Sequence, residues 1–187
     1  MLLKILMSVL AMGMFVALSP SAGAQGNPTV LLKTSKGDIT VELDPVRAPI
    51  SVKNFLGYVD AKFFDGTIFH RVIKGFMIQG GGLTADFVEK AAKPPIKNES
   101  GNGLSNLRGT IAMARSDALD SATCQFYINH ADNLFLDKGK YAVFGKVIKG
   151  MDIVDAIASV PTGVVKGYDD APRQPITIVS IRRIESK

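Results

Sequence analysis

The chain has 187 residues, 47% of them hydrophobic, which suits one compact domain with a buried core. Its formal net charge of +5 is mild and its basic residues are scattered among Asp and Glu, so a nucleic acid is not an expected partner. Cys124 is the sole cysteine, which excludes an internal disulfide and a metal site built from paired cysteines.

The start of the chain has the pattern of a secretory signal peptide. Lys4 is its only charge, residues 5–18 are almost wholly apolar, and residues 22–24 (Ala-Gly-Ala) supply the small side chains that a signal peptidase requires. We expect cleavage after Ala24 and a mature domain of residues 25–187 that is exported to the periplasm or secreted, with no membrane attachment. A retained anchor or tether is the alternative, although an apolar run of about 14 residues is shorter than the roughly 20 that span a bilayer.

Short β-rich runs bounded by glycine or polar residues predict eight strands. The first two are separated by a Gly-containing connection at residues 35–37, which predicts a hairpin. The predicted strands cover residues 29–34, 38–43, 68–73, 76–79, 110–114, 125–129, 142–147 and 176–184.

Two amphipathic helices are predicted between these strands. After Pro49, apolar residues recur at positions 52, 55, 56 and 59, which is the spacing of one helical face. A second stripe begins at Met151, directly after Gly150 and shortly before Pro161. Most of the predicted strands are separated by too few residues for repeated crossover helices. This order of elements therefore favours an antiparallel barrel or a sandwich.

Residues 81–109 show no strong periodicity and predict a long irregular connection, a feature that is uncommon unless it is functional or disordered. Gly80, Gly81 and Gly82 resemble a phosphate-binding loop only in composition, because no Lys-Ser/Thr pair follows them. We interpret these three glycines as a turn that ends a strand.

The sequence lacks the usual signatures of nucleophilic or metal-dependent enzymes. His70 and His130 are the only histidines, and neither belongs to an HExxH or Gly-x-Ser-x-Gly pattern. Both are interpreted as structural. Taken alone, Arg71 and Gln79 are ordinary polar residues of a strand edge.

Three ordered segments carry a much more specific signal. They read Phe-His-Arg-Val-Ile at 69–73, Gly-Phe-Met-Ile-Gln-Gly-Gly at 75–81 and Gln-Phe-Tyr-Ile at 125–128, with supporting runs at 109–114 and 143–147. The set resembles the cyclophilins, and most closely the exported bacterial members, over nearly the whole mature chain. The resemblance implies a mainly β fold, an eight-stranded antiparallel closed barrel capped by two helices. It also implies peptidyl-prolyl cis/trans isomerase activity with no cofactor and no metal.

The resemblance further implies a role for each residue of the site. Arg71 would be the catalytic residue, with Gln79 as its polar neighbour beside the substrate backbone. The proline ring would be enclosed by Phe76, Met77, Tyr127 and Leu136, the adjoining groove would be lined by Ala114 and Gln125 with Phe135 and Tyr141 at its edge, and the backbone at Arg115 would hold the extended peptide.

Strand alternation supports part of this assignment from the residues alone. Residues two apart share a face of a strand, so Gln125 and Tyr127 can both point toward a groove. Cys124 and Phe126 then lie on the opposite face and are expected in the core.

Alternation also favours Arg71 over His70 as the functional polar residue, because Arg71 shares a face with Ile73 while His70 shares one with Val72. Rotation about a prolyl bond breaks no bond, which explains how an enzyme can lack a nucleophile, a general base and a metal. In the twisted state the prolyl nitrogen regains its lone pair, and an arginine can donate a hydrogen bond to it.

Three positions depart from the pattern of the cyclosporin-sensitive cyclophilins: Tyr127 stands for a Phe, Phe135 for a Trp and Tyr141 for a His. Because Phe135 lacks the indole N–H donor, we expect cyclosporin to bind weakly. The expected partners are proline-containing segments of unfolded or folding exported proteins, and the expected state is a monomer.

Two other function classes are weighed against the isomerase. A module that only binds proline-containing segments, as a chaperone, would need the apolar pocket but not Arg71. A barrel that carries a small hydrophobic ligand would need an open interior, whereas the apolar strand residues of this chain are expected to fill it.

Overall fold

The structure is a computed structural model that describes residues 26–184. The predicted signal peptide and its cleavage point lie outside the described residues. The strands are β1 Thr29–Thr34, β2 Gly37–Leu43, β3 Thr67–Ile73, β4 Met77–Thr84, β5 Thr110–Met113, β6 Phe126–Asn129, β7 Val143–Lys149, β8 Thr162–Val165, β9 Tyr168–Pro172 and β10 Thr177–Ile184, and the helices are α1 Pro49–Asp60, α2 Phe135–Lys138 and α3 Met151–Ala158. None of the helices in residues 26–184 has the length and apolar character needed to cross a bilayer.

Eight strands close into an antiparallel barrel in the order β1-β10-β3-β4-β6-β5-β7-β2. All eight correspond to predicted strands, and α1 and α3 begin where the sequence predicts, at Pro49 and Met151. The closed antiparallel barrel is therefore confirmed, and the sandwich alternative is wrong. The one-turn helix α2 and the β8–β9 hairpin, which forms a separate two-stranded sheet, are additions to the predicted elements.

The predicted turn at Gly80, Gly81 and Gly82 is wrong, because all three lie inside β4. A Cβ on Gly80 would lie 2.6 Å from the Ile68 carbonyl oxygen, and one on Gly82 would lie 2.6 Å from Cγ of Gln125. These glycines therefore allow neighbouring groups to approach the β4 backbone closely, which is one of the reasons for glycine inside a strand.

The barrel interior is filled by side chains. Phe55 of α1 packs with Phe64 and Phe144 at ring-centroid distances of 5.2 and 5.3 Å, and Phe126 meets Phe55 edge-on at 5.5 Å. Such tilted and edge-on pairs add to the stabilisation that burial alone provides. This packing gives the hydrophobic-carrier alternative no support.

Cys124 and Phe126 are buried in this same core, as strand alternation predicts. Burial raises the pKa of the Cys124 thiol, so the side chain behaves as a small apolar group. The core also includes residues of both long helices, which pack α1 and α3 onto the barrel.

After β4, the chain follows the predicted irregular path as far as β5, interrupted only by a bridge between Leu83 and Glu89. Glu99 fixes this path to the first turn of α1. Its two carboxylate oxygens accept hydrogen bonds from the backbone N–H of Ile50 at 2.9 Å and of Ser51 at 2.7 Å. A carboxylate at a helix N-terminus satisfies free N–H groups and complements the helix dipole.

Candidate active site

A second apolar cluster lies on the face of the strands that points away from the core. Tyr127 on β6 and Ala112 on β5 belong to it, whereas their sequence neighbours Phe126 and Ile111 belong to the core. Met77 of β4 joins the same outer cluster. The three strands therefore support the core with one face and a candidate binding surface with the other.

A pocket of about 120 Å³ opens on this surface. Its lining residues all belong to the set implied by the family resemblance: Arg71, Phe76, Met77, Gln79, Ala114, Arg115, Tyr127, Leu136 and Tyr141. Of the eleven site residues, only Gln125 and Phe135 lie outside the pocket wall. The fold thus brings three strands, one helix and three connections together at one small concavity.

Arg71 reaches this pocket because of a bulge in β3. Phe69 pairs with Gly80 and Arg71 pairs with Gln79, so two β3 steps are matched by one β4 step. At this point the bulge shifts the alternation of side chains between the two faces of β3. Phe69 and Val72, which are three residues apart, consequently both lie in the core. Arg71 keeps 42% of its side chain exposed.

The prediction that His70 shares the face of Val72 is wrong. The same bulge directs His70 toward the β8–β9 hairpin, where its ring meets that of Tyr168 at 6.3 Å. Burial, with a smaller effect of the neighbouring Arg71 charge, lowers the pKa of His70 to about 4. His70 is therefore neutral near pH 7.

Gln79 and Gln125 form the polar side of the site. The Nε2 group of Gln79 donates to Oε1 of Gln125 at 2.9 Å. Gln79 also lies across β3–β4 from Arg71 and across β4–β6 from Tyr127. Although Gln125 does not line the pocket, it orients the amide that does.

The apolar side of the pocket extends outward through stacked aromatic rings. Phe76 stacks on Phe135 with 5.6 Å between ring centroids and 26° between planes. Phe135 is 60% exposed, so it lies at the rim, as the resemblance implies. Leu136, the next residue of α2, is buried against the outer cluster.

Tyr141 and Arg115 close the opposite edge. The Arg115 guanidinium lies 4.5 Å above the Tyr141 ring, and its amino groups donate to the carbonyls of Ser116 and Gly139. The Arg115 side chain therefore stabilises the rim through a cation–π contact and backbone hydrogen bonds. The resemblance implied a role only for its backbone.

Comparison with known proteins identifies the fold and its chemistry. Residues 29–183 match the family model of the cyclophilin type peptidyl-prolyl cis-trans isomerase/CLD. The chain belongs to this isomerase family. It is 53% identical over 186 residues to peptidyl-prolyl cis-trans isomerase A of Dickeya dadantii, covering 97% of this chain and 98% of that one. It is 49% identical over 159 residues to peptidyl-prolyl cis-trans isomerase B of Escherichia coli K12, covering 81% and 97%.

Solved structures agree with the barrel described above. A crystal structure of a cyclophilin-type isomerase from Cryptosporidium parvum superposes with a TM-score of 0.76 at 28% identity, covering 86% of this chain and 99% of that one. The same protein in the presence of the dipeptide Ala-Pro gives a TM-score of 0.75 at 30% identity, covering 85% and 99%. The enzyme class and the fold predicted from the sequence are thus confirmed.

The isomerase also contains a buried polar network behind the pocket, which no pattern in the sequence indicates. Asn106 Oδ1 accepts hydrogen bonds from the Tyr127 hydroxyl at 2.7 Å and from Asn129 Nδ2 at 3.1 Å, while Asn106 Nδ2 donates to Asp137 Oδ1 at 2.8 Å. Asn133 Nδ2 donates to Asn129 Oδ1 at 2.8 Å. Burial raises the pKa of Tyr127 above its usual range, which keeps its hydroxyl protonated as a donor.

The network fixes pocket residues through their backbones as well. Asn133 Nδ2 donates to the Phe76 carbonyl at 2.8 Å, and Asn106 Nδ2 donates to the Tyr141 carbonyl at 3.2 Å. Two walls of the pocket are therefore tied to one set of asparagines. No local periodicity marks Asn106, because it lies in the irregular connection.

His130 is held in place by hydrogen bonding on the isomerase surface. Its Nδ1 accepts the Gly75 N–H at 3.0 Å, and its Nε2 lies 3.2 Å from Asp155 Oδ1. These contacts fix the turn between β3 and β4, which carries Phe76 into the pocket. In the part of the chain that the structure describes, no three His, Cys, Asp or Glu residues group as a metal site.

Proposed function

We propose that the pocket beside Arg71 is the active site of this isomerase and that Arg71 donates a hydrogen bond to the prolyl nitrogen as the bond twists. In this proposal Phe76, Met77, Tyr127 and Leu136 hold the proline ring. Gln79 positions the neighbouring carbonyl of the substrate. The peptide segment before proline is then the part that rotates.

The chemistry of the bond explains why this arrangement suffices. The planar peptide bond resists rotation by about 18 to 20 kcal/mol because the nitrogen lone pair is delocalised into the carbonyl. In the twisted state the lone pair returns to nitrogen, which becomes a better acceptor than in the planar state. A donor at that position stabilises the transition state more than the ground state, which is the condition for a faster rate.

One observation carries the proposal: a half-exposed guanidinium and a side-chain amide lie at the rim of a small apolar pocket that is lined by aromatic and aliphatic side chains. A module that only bound proline segments would need the apolar walls but would give no role to Arg71. The Cryptosporidium parvum relative, solved in the presence of Ala-Pro, supports a proline-containing ligand for this surface.

Two-dimensional exchange NMR on a proline-containing peptide tests the proposal, because it measures isomer interconversion separately from binding. The purified protein at catalytic concentration should bring cis/trans exchange into the NMR window, whereas uncatalysed exchange takes tens to hundreds of seconds. Peptide shifts that report binding without faster exchange would favour the non-catalytic chaperone.

Cyclosporin should bind weakly, and Phe135→Trp should tighten it. The tryptophan supplies the indole N–H donor that Phe135 lacks, at the exposed rim beside Phe76. Peptide turnover should change less, because Phe135 lies outside the pocket wall. Titration calorimetry on both proteins measures the difference, and tight binding by the parent protein would show that Phe135 does not limit affinity.

We also propose that the isomerase is exported and acts on proline-containing segments of exported proteins while they fold. The apolar run of residues 5–18 and the Ala-Gly-Ala sequence at 22–24 support this proposal. N-terminal sequencing of the secreted or periplasmic protein should start at Gln25. Recovery of intact Met1 from membranes, resistant to salt extraction, would contradict both the cleavage and the soluble location.

A further inference from the structure

Asp170 of the β8–β9 hairpin faces the guanidinium of Arg71. Its Oδ2 lies 3.6 Å from Nε of Arg71, and the two side chains are 43% and 42% exposed. Among the described residues, Asp170 is the only acid within ion-pair distance of Arg71. The hairpin lies outside the barrel, so this contact joins the active-site arginine to a separate element.

The backbone around Asp170 is irregular in a way that directs this side chain. Gly163 pairs with Ala171 and Val165 pairs with Tyr168, so Asp169 and Asp170 together oppose a single residue, Val164. Asp170 has a φ of +55°, in the left-handed region that side-chain-bearing residues rarely adopt. Bulges of this kind re-aim a side chain, and a backbone outlier of this kind is a reason to examine function.

The hairpin is held firmly enough to fix the position of that carboxylate. Tyr168 packs on the buried His70 at 6.3 Å and on Phe87 at 5.3 Å between ring centroids. Ala171, directly after Asp170, is fully buried. Tyr168 therefore ties the hairpin to β3 at His70, the residue that precedes Arg71, and Ala171 is held by burial on the other side of Asp170.

We propose that Asp170 is a positioning residue that orients the Arg71 guanidinium for catalysis. This inference rests on the proposed function of Arg71. The carboxylate engages the Nε edge of the guanidinium, which leaves donors of the two terminal nitrogens available to the substrate. A long side chain that is half exposed loses rotamer freedom when it is held in this way, so more of the enzyme has the donor in place when the prolyl bond twists.

The test compares Asp170→Asn with Asp169→Asn in the same exchange assay. Both substitutions remove one negative charge from the bulge, but Asp169 is exposed and lies outside the ion pair. Asp170→Asn should lower kcat about two- to fivefold with little change in KM, the range expected for an exposed ion pair. Asp169→Asn should match the parent. Asp170→Gly should lower kcat by a similar factor. Because glycine adopts a positive φ without strain, agreement between the two variants would show that the fall in kcat does not come from a folding defect.

Two further measurements separate positioning from a structural effect. The gap between Asp170→Asn and the parent should narrow at 1 M NaCl, where the screening length falls to about 3 Å. Asp170→Asn should also cause no additional loss in an Arg71→Ala background, because the group that it orients is gone.

Equal activity of the two Asn variants, with Arg71→Ala still impaired, would overturn the role of Asp170 and leave that of Arg71 intact. The role of Asp170 would also be overturned if Asp170→Asn lowered kcat by the same factor in the Arg71→Ala background as in the parent. If Arg71→Ala itself were fully active, the proposed mechanism would fail first, and the two failures are thus distinguishable.

Discussion

Replacing Arg71 with alanine should lower kcat for prolyl isomerisation about tenfold to hundredfold, because it removes a charge-assisted hydrogen bond worth roughly 1.5 to 3 kcal/mol. Peptide binding should change little, since the planar prolyl nitrogen offers almost no lone pair in the ground state. The fold should persist, because the Arg71 side chain is 42% exposed and packs outside the core.

Two matched variants show whether the contact acts in the transition state. Arg71→Lys should recover only part of the rate, because one ammonium cannot reproduce a planar fork of donors. Phe76→Ala should weaken binding and turnover together, since it removes an apolar wall that contacts the substrate throughout the reaction. Exchange NMR at saturating peptide separates the two effects, and an Arg71→Ala protein that exchanges isomers as fast as the parent would refute the mechanism.

Asn106→Leu should lower the free energy of unfolding by about 2 to 4 kcal/mol, because it removes several hydrogen bonds of the network and leaves the buried Tyr127 hydroxyl without an acceptor. The Tyr127 hydroxyl loses its acceptor, and both Asn129 Nδ2 and the Asp137 carboxylate lose a hydrogen bond. For a domain of this size the corresponding fall in Tm is roughly 5 to 15 °C. Urea unfolding followed by circular dichroism measures the change.

The double variant Asn106→Leu with Tyr127→Phe is the control for this prediction. Removing both partners of a buried hydrogen bond costs less than removing one, so the double variant should be more stable than the sum of the single changes predicts. A loss below about 1 kcal/mol for Asn106→Leu would mean that the network contributes little to stability.

The elements that the sequence predicts well are those whose signal is local. The eight barrel strands have β-rich composition and clear boundaries, and α1 has both a starting proline and a helical stripe. In contrast, α2 is a single turn of four residues, too short to show a helical period. The glycines of β4 resemble a turn in the sequence, because the close contacts that they allow are made with residues far away in the chain, such as Gln125.

The site shows the same division between local and distant causes. The family motifs predict which residues lie at the pocket, and nine of them line it. Simple alternation fails at His70, because a bulge in β3 cannot be read from the composition of the strand. Asn106 and Asp170 were missed because each lies in an irregular segment and meets its partner only after the barrel closes.

The division of β4, β5 and β6 between an inner and an outer apolar cluster gives neighbouring residues two different structural roles. A substitution of Phe126 alters the packing that holds the barrel together, whereas one of the exposed Phe135 alters the rim and its stack on Phe76. Tyr141 differs from Phe135 in this respect, because its ring lines the pocket and carries the Arg115 guanidinium. A substitution of Phe135 should therefore cost little stability, because this side chain is 60% exposed and lies outside the core.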